Sequence, residues 1–412
     1  MLGNEDFMKR LIAYLAGMLV SLGLLAAAPD SLRLAYSVSG TVVDARSGRP
    51  VESAHVFLPD MHFATVTNAE GYFVLKSTAP VVTFSVSCVG YATATVKGPA
   101  DGLRIALLPE TKMLDPASVL SGDPERIVRE AVSRIPYNYS SKPELMESFY
   151  RETIRKRQRF IYISEAVAKL YKTSYMEGVY RDRASLSKSR ILLSQRRGDT
   201  LSVKMMGGPT QALVLDAVKN NEFILGKPSL EQYNFRMEPS VSIGGAPHFV
   251  ISMTPVPGVQ QPMYYGKLFI DAERLSFTRM ELTLDMSDPA RVTPLILVKR
   301  PPGMRFSPKE LSLVLNYRTE GGVTRLSYLR TVIRFRCDMK KRLFSTNYMV
   351  VNELAVTGLH EPAVQIPRAE MFRVEDILED KAGLFMDDEF WKDYIIIEPT
   401  ESLENAIGRL RR

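Results

Sequence analysis

The sequence has few of the residues that most often hold metal ions or act as nucleophiles. Its 412 residues include four histidines, two cysteines and one tryptophan. None of the histidines has a glutamate at the spacing of a zinc peptidase motif, and the adjacent pair His360-Glu361 runs into Pro362, which ends a helix. We therefore predict no metal site and interpret His55 and His62 as surface histidines. The four histidines are His55, His62, His248 and His360.

The motifs of common catalytic folds are missing as well. No G-x-S-x-G nucleophile elbow, no P-loop and no G-x-G-x-x-G fingerprint occurs in the sequence. Each of these motifs places a nucleophile or a phosphate cradle on a fixed backbone turn, so the sequence gives no basis for hydrolase or nucleotide chemistry. We predict that the protein is not an enzyme and has no cofactor, with a hydrolase as the least favoured function.

The two cysteines, Cys88 and Cys337, are too few for a disulfide framework. A bond between them would be permitted in an oxidising compartment. Both lie in apolar alternation, where a free cysteine behaves as a small buried hydrophobe, and we favour that interpretation.

The N-terminus has the pattern of a secretory signal peptide over residues 1–28. Met8-Lys9-Arg10 is a positive n-region, Leu11 to Leu25 is apolar, and Ala26 to Ala28 offers a small-residue cleavage site. Met8 is the preferred start. An uncleaved membrane anchor is the alternative, although the apolar run is shorter than the roughly 20 residues of a span. We expect an exported protein, periplasmic or associated with the outer membrane of a Gram-negative bacterium.

The overall composition is that of a globular protein with two or three domains. Hydrophobic residues make up 45% of the chain and charged residues 24%, and the formal net charge is +7. A positive excess can attract nucleic acid, acidic polysaccharide or anionic lipid. Because export removes nucleic acid from this set, we expect no nucleic-acid partner.

The stretch from Ser39 to Lys97 predicts a small antiparallel sandwich. Short runs rich in Val, Thr, Phe and Tyr alternate with turn clusters, the spacing typical of such folds. In the run Val82 to Cys88, the even-numbered apolar residues fall on one face and polar residues on the other. The sandwich is predicted to span residues 37–108.

The same residues resemble the carboxypeptidase-regulatory-like domain, a seven-stranded transthyretin-like sandwich. That resemblance implies a fold and no catalytic group. One departure is Asn68 where the family has Asp; this keeps the turn-forming oxygen but loses its charge. The matching positions are Gly40, Val42 and Asp44 in the opening motif, Gly48 and Pro50 in the first turn, Ala54 and Val56 in the second strand, Thr67, Gly71 and Phe73 in the central motif, and Gly90-Tyr91 at the close.

The rest of the chain predicts a larger, mostly antiparallel β domain with short helices. A linker over 109–122 leads into a domain over 123–361, and 362–412 forms a C-terminal segment. Asp123 caps a helix whose apolar face includes Ile127, Val128, Ala131 and Ile135. A second helix is predicted for Thr210 to Lys219, and a docking helix for Glu401 to Leu410. The fold class is therefore mainly β.

Period-two patterns predict the strands of the larger domain. From Glu144 to Leu193 both alternating series carry apolar residues, which favours strands covered on both faces. A turn at Gly321-Gly322 predicts a hairpin. Further strands are predicted at Gly266 to Asp271, Leu275 to Asp285, Val292 to Val298, Leu311 to Tyr317, Arg325 to Phe335 and Asn347 to Val356.

Two more resemblances concern this domain. The segment Tyr264 to Asp271, followed by Leu275 to Glu281, is similar to a hairpin of half-barrel lipoprotein carriers, which implies a curved sheet that shelters an acyl chain. Three motifs also resemble uncharacterised exported proteins, which implies envelope residence and no established reaction. These are Asn138-Tyr139, Phe149 to Glu152, and the tail from Asp388 to Trp391 with Tyr394 to Thr400.

Basic residues interleaved with aromatics form the candidate binding site. These basic residues have two alternative interpretations. They are solvated strand edges, or they dock to an anionic lipid or an acidic partner. For Phe149 to Glu152, the alternative interpretation is a core strand that carries a structural ion pair and has no binding role. The candidate binding residues are Tyr150, Arg151, Glu152, Arg155 and Arg157.

Two functions are compatible with these observations. The first is a non-catalytic cell-envelope protein whose sandwich is a docking or spacer module and whose β domain binds an envelope protein, glycan or lipid, with peripheral membrane association. The second is a lipid or lipoprotein carrier that uses a curved half-barrel sheet.

Overall fold

The computed structural model describes residues 36–58, 64–77, 79–98, 101–110, 122–196, 199, 203–205, 207–220, 222–339, 345–360, 362–382, 394, 397 and 399–410. The predicted signal peptide, most of the predicted linker and the motif Asp388 to Trp391 lie outside these residues. Within the described part of the chain, no helix is long and apolar enough to cross a membrane.

The N-terminal unit is a sandwich of seven strands, as predicted. A three-stranded sheet in the order β4-β1-β7 faces a four-stranded sheet in the order β3-β2-β5-β6. Their bounds are β1 Tyr36–Asp44, β2 His55–Phe57, β3 Ala64–Val66, β4 Tyr72–Ser77, β5 Thr83–Ser87, β6 Ala94–Lys97 and β7 Leu103–Leu107.

The turn residues of the sandwich explain its sequence motif. The Asn68 side-chain oxygen accepts hydrogen bonds from the backbone N–H groups of Glu70 at 2.9 Å and Tyr72 at 3.0 Å. It therefore stabilises the turn as an aspartate at this position would. Gly71 has φ +72°, and a Cβ there would lie 2.4 Å from the Val42 carbonyl oxygen. Both ends of the motif are therefore fixed by backbone geometry.

The strand prediction for Val82 to Cys88 is correct in its centre. Phe84 and Val86 are fully buried in the sandwich core, whereas Val82 is 70% exposed. Val82 lies outside β5, before the strand enters the sandwich. The alternation therefore marks the buried face only where the strand is paired.

The larger unit is built on one antiparallel sheet of ten strands. Their order is β10-β9-β8-β19-β18-β17-β15-β14-β13-β12, so β19, the last of the described strands in the sequence, lies inside the sheet. The bounds are β8 Glu144–Lys156, β9 Arg159–Lys172, β10 Arg183–Leu193, β12 Tyr233–Ile243, β13 Ala246–Pro255, β14 Tyr264–Asp271, β15 Phe277–Leu284, β17 Met304–Glu320, β18 Val323–Met339 and β19 Thr346–His360. A separate pair joins β11 Lys204–Met205 to β16 Leu297–Lys299.

Seven helices accompany the sheets in the described part of the chain. They are α1 Pro124–Ser133, α2 Ile135–Asn138, α3 Gly208–Val214, α4 Lys227–Leu230, α5 Pro289–Ile296, α6 Leu378–Ala382 and α7 Glu401–Leu410. Short 3-10 turns lie at Val179–Arg181 and Arg368–Glu370. Helix α1 begins after Asp123, whose side chain accepts from the Glu125 backbone as predicted.

Two local predictions need correction. The strand predicted from Val292 to Val298 is mostly helix α5, because Asp288 caps the backbone of Ala290 and Arg291 and Pro289 occupies the first turn. The helix predicted from Thr210 to Lys219 ends at Val214.

The ten-stranded sheet has two differently covered faces. We call the face that carries Tyr150, Leu313 and Leu354 the inner face; it packs against helices α1, α3 and α5 in the main hydrophobic core. The opposite, outer face carries Phe149 and Ala355 and packs against Val66 of the sandwich and against the C-terminal segment. Both faces are therefore buried at β8 and β9, as the mixed apolar series predicted, whereas the outer face is exposed at Asn234 of β12 and Thr254 of β13.

Candidate functional site

A cavity of about 480 Å³ lies between the inner face of the sheet and its helical cover. Its floor is formed by side chains from β15, β17, β18 and β19, and its cover by α3, α5 and the loop between α3 and α4. Apolar side chains dominate the lining. They include Val214, Phe223, Leu284, Leu311, Leu313 and Ile333. The volume lies within the range of roughly 300–1,000 Å³ that is usual for small-molecule sites.

The cavity extends along the inner face of the sheet. Tyr233 of β12 and Asn352 of β19 both line it, and these strands are the two ends of a run of seven strands. At a spacing of about 4.8 Å, six intervals would extend across about 29 Å in a flat sheet. The residues that line the cavity are therefore drawn from a wide part of the sheet.

The mouth of the cavity is marked by its exposed lining residues. Glu222 and Gln261 are exposed, and Leu295 is 48% exposed. The remaining lining residues are buried or half-buried. A ligand would therefore enter between the loop that carries Glu222 and helix α5.

Three polar side chains face the apolar interior without a partner. Gln211 Oε1, Thr331 Oγ1 and Asn352 Oδ1 are buried atoms that have no hydrogen-bond partner among the described residues, and all three residues line the cavity. Buried polar groups are usually satisfied, so such atoms need an explanation. They add unpartnered polar atoms to a lining that is mostly apolar.

A buried ion pair fastens the cover to the sheet. The Lys172 ammonium at the end of β9 donates to Asp216, which follows α3, and the Tyr317 hydroxyl donates to the same carboxylate at 2.8 Å. Burial opposes ionisation of both partners, but their attraction prevails, so the pKa of Asp216 is lowered and that of Lys172 raised. Tyr175 also donates to Asp216, at 3.1 Å.

A second buried cation holds the same loop. The Lys219 ammonium donates to Asp182 at 2.5 Å and to the Thr173 carbonyl at 2.7 Å. Burial and the nearby Lys172 charge lower the pKa of Lys219, and Asp182 partly offsets them. Because both lysines are buried, breaking either pair would leave an uncompensated charge under the cover. The network keeps the cavity covered along one side.

The predicted binding residues do not form one site. Tyr150 and Glu152 point to the inner face, where the Tyr150 hydroxyl donates to Glu152 at 3.2 Å and accepts from the Gly208 backbone at 2.8 Å. Arg151 and Arg155 point to the outer face. There the Arg155 guanidinium stacks on the Phe160 ring at 4.0 Å from its centroid. Strand alternation separates neighbours in sequence.

Arg157 lies apart from the other candidates. It occupies the turn between β8 and β9 with φ +58°, and its backbone donates to the Asn347 carbonyl at 2.8 Å. Its exposed side chain therefore belongs to a hairpin tip. A binding role for the five residues as a group stays a prediction.

Arg151 takes part in a buried triad. It meets Glu165 at 2.6 Å, Arg190 meets the other oxygen of that carboxylate, and Arg151 also donates to the Ile397 carbonyl at 2.7 Å. Their side chains are at most 5% exposed. Burial alone would raise the pKa of Glu165, but the two guanidinium groups lower it. This arrangement corresponds to the structural ion pair that was the alternative interpretation.

His55 is half-buried where the sandwich contacts the sheet, whereas the sequence predicted a surface histidine; His62 lies outside the described residues. The Asn316 amide on the outer face of the sheet lies 2.9 Å from His55 Nε2, and the ring meets Tyr328 edge-on. Burial, then Arg318 and Arg279, lower the pKa of His55 to about 3. Its role is to join the sandwich to the sheet. Among the described residues, no cluster of His, Cys, Asp and Glu could hold a metal ion.

Sequence reasoning missed the residues that line the cavity and the ion pairs that hold its cover. Lys172, Asp216 and Lys219 are isolated charges in apolar runs, which is the signal that could have marked them as buried and paired. The partners of the pairs lie on distant segments, so the sequence did not indicate which charges meet.

Comparison with known proteins gives a family match for the sandwich. Residues 38–116 match the family model of the CarboxypepD_reg-like domain, which confirms the resemblance predicted from the sequence. None of the curated proteins compared with the chain matches it.

Three solved structures are weakly similar to the chain. A DUF1329 family protein from Desulfovibrio piger is 12% identical with a TM-score of 0.24, covering 57% of this chain and 93% of its own. A LolA superfamily protein from Nitrosomonas europaea is 11% identical with a TM-score of 0.22, covering 61% and 98%. A protein of unknown function from Bacteroides fragilis, described as membrane-associated, is 10% identical with a TM-score of 0.15, covering 79% and 98%. TM-scores this low assign neither a fold family nor an activity.

Proposed function

We propose that the protein is a non-catalytic, exported envelope protein that shelters the hydrocarbon chain of a lipid or lipoprotein in its cavity. The observation that carries this proposal is the covered, mostly apolar cavity of about 480 Å³ on the inner face of the sheet. The signal-peptide pattern in residues 1–28 supports an envelope location, where lipids are the abundant apolar ligands.

The energetics favour an apolar ligand. Burial of hydrocarbon contributes about 0.8 kcal/mol per methylene, so a chain that fills the cavity gains most of its affinity without any specific contact. The floor strands are fixed by their ladder and the cover by its buried ion pairs, so the site is formed before the ligand arrives. A preformed site avoids the entropic cost of ordering loops on binding.

The sandwich has a supporting role in this proposal. All the lining residues fall between Gln211 and Asn352, outside the sandwich, which packs on the outer face. Its contacts include the His55 pair with Asn316 and an ion pair between Glu52 and Arg330 at 3.5 Å. A further role in docking to an envelope protein or glycan stays a prediction.

Organic extraction of the purified protein, followed by mass spectrometry, tests the proposal. We expect a stoichiometric lipid in the wild type and its loss in Leu313→Trp, in which the indole occupies the cavity. Leu313 is 1% exposed and lies on the cavity floor. Circular dichroism and thermal melting of the variant should match the wild type, which shows that the fold is kept.

Absence of extracted lipid, together with no uptake of dodecane from a saturated buffer, would contradict the proposal. A hydrolase panel and zinc analysis on the same preparation test the prediction that the protein is not an enzyme. If the wild type turns over an ester or a peptide and Leu313→Trp abolishes that turnover, the function of the cavity is catalysis and not binding.

A further inference from the structure

A row of polar side chains crosses the inner face of the sheet at right angles to its strands. Thr331 on β18 lies opposite Asn352 on β19. Asn352 lies opposite Glu152 on β8, and Glu152 lies opposite Ser164 on β9. Directly opposed residues of antiparallel strands share a face, with Cβ atoms about 4.5–5.5 Å apart. The four side chains therefore form one continuous polar row that begins in the cavity.

Most of this row has no partner of its own. Thr331 Oγ1, Asn352 Oδ1 and Ser164 Oγ have no hydrogen-bond partner among the described residues, and these residues are only 4%, 6% and 0% exposed. Gln211 Oε1 is unpartnered in the cover of the same cavity. An unpaired polar group in an apolar interior costs about 1–3 kcal/mol, so a fold that keeps several together calls for a bound group to satisfy them.

The chemistry of the row restricts that bound group. The unpartnered atoms are the carbonyl oxygens of two side-chain amides and hydroxyl oxygens that can accept or donate, so a ligand must bring hydrogen-bond donors. Glu152, in the row beside Asn352, adds a carboxylate whose Oε2 accepts from Tyr150. An anionic group placed against the unpartnered amide oxygens would face acceptors.

The cavity also lacks the residues that would bind an anion. None of its lining residues among the described part of the chain is lysine, arginine or histidine, and its one charged lining residue is Glu222 at the mouth. Carboxylate and phosphate groups are bound in proteins by guanidinium, ammonium or clustered backbone N–H groups. A buried carboxylate without such a partner is strongly disfavoured.

We propose that the cavity selects amphiphiles whose polar end is an uncharged hydroxyl, such as a fatty alcohol or a monoacylglycerol, over amphiphiles that end in a carboxylate or a phosphate. The hydroxyl end lies against Thr331, Asn352 and Gln211, and the hydrocarbon lies along Leu311, Leu313 and Ile333. This inference rests on the proposed function and specifies the class of ligand.

Binding of four ligands with the same chain length tests the inference. Dodecane, 1-dodecanol, monolauroylglycerol and dodecanoate are titrated at pH 8 into the purified, delipidated protein, with native mass spectrometry and calorimetry as readouts. We expect the dissociation constants of the alcohol and the monoacylglycerol to be about tenfold lower than that of dodecanoate, the size of effect given by one or two hydrogen bonds in a dry site.

The double variant Thr331→Val/Asn352→Leu removes two of the unpartnered polar atoms. It should bind dodecane at least as well as the wild type and lose the preference for the alcohol. Because Thr331 Oγ1 and Asn352 Oδ1 have no hydrogen-bond partner among the described residues, thermal stability should be kept or raised. The matched control is Asn234→Leu/Thr254→Val, an exposed cross-strand pair of the same residue types on β12 and β13, which should leave all four affinities unchanged.

The outcomes separate this inference from the proposed function. Equal affinity for all four ligands, or tighter binding of dodecanoate, overturns the inference and leaves hydrocarbon binding intact. Failure of all four ligands to bind, dodecane included, overturns the proposed function itself. A preference for the alcohol that survives in Thr331→Val/Asn352→Leu also overturns the inference, since the selecting atoms would lie elsewhere.

Discussion

Near its centre the ten-stranded sheet is buried on both faces, and the two faces are covered in different ways. On the outer face, Phe149 and Ala355 pack directly against Val66 of the sandwich and Ile397 of the C-terminal segment. On the inner face, the helical cover is held by ion pairs such as Lys172 with Asp216, and a cavity is left beneath it. The comparison shows that one face is used for packing and the other is available for a ligand.

The strongest test of this difference removes the charge at the centre of the outer-face triad. Glu165→Gln leaves Arg151 and Arg190 buried without a carboxylate, and we expect a loss of about 3–5 kcal/mol in the free energy of unfolding, measured by urea denaturation. The control Glu281→Gln breaks a partly exposed pair with Arg279 and should cost less than about 1 kcal/mol.

The same substitution changes the pH dependence of stability. The folded state lowers the pKa of Glu165, so its contribution is present above the unfolded pKa of about 4.3 and is lost as pH falls through the lower folded pKa. Wild type should therefore lose stability in that acid range faster than Glu165→Gln. Parallel acid profiles for the two proteins would show that the triad is not ionised.

Substitutions that enlarge a side chain should have different effects on the two faces of the sheet. Ala355→Phe on the outer face has no free space, because Ala355 is 3% exposed and packs under the sandwich; we expect a loss of about 1–3 kcal/mol in unfolding free energy. Leu313→Phe on the inner face extends into the cavity and should change stability by less than about 1 kcal/mol. Equal losses in urea denaturation would show that the cavity is not open in solution.

Titration of His55 reports on the sandwich contact. Its folded pKa of about 3 lies below the unfolded value of about 6.5, so stability falls as pH drops from about 6.5 towards 3. The slope is at most about 1.4 kcal/mol per pH unit, because one proton is taken up on unfolding. His55→Gln keeps a polar partner for Asn316 and should flatten this part of the stability profile. An unchanged profile would contradict the assignment.

The smallest expected effect concerns the β8–β9 turn. Arg157 has φ +58°, a conformation that glycine adopts without strain, so Arg157→Gly should raise the free energy of unfolding by about 0.5–1 kcal/mol. Ligand binding in the cavity should not change. Loss of binding to anionic vesicles in this variant would instead favour the predicted basic docking surface.

Much of the fold could be predicted because its signals are local. Alternation in Arg325 to Phe335 and the turn at Gly321-Gly322 depend on neighbouring residues alone, and the structure has both. The strand predicted from Val292 to Val298 is wrong because Asp288 and Pro289 start a helix there. This capping signal outweighs the strand preference of the β-branched residues that follow.

The candidate site was less predictable because it depends on strand order. Thr331, Asn352, Glu152 and Ser164 come from four separate strands, and their adjacency follows from the insertion of β19 between β18 and β8. No local pattern contains that order. Strand alternation alone, however, predicts that Tyr150 and Arg151 face opposite sides, so their grouping into one site could have been questioned from the sequence.

The central place of β19 has a consequence for how the chain folds. Strand β18 comes directly before β19 in the sequence, but β8 is made long before it, so β8 presents an unpaired hydrogen-bonding edge until residues 346–360 arrive. Contacts of such high sequence separation slow folding and lengthen the time in which partly folded chains can associate. In a chain that is synthesised from its N-terminus, β19 completes the pairing of β8. A holding chaperone would therefore have its greatest effect before β19 appears.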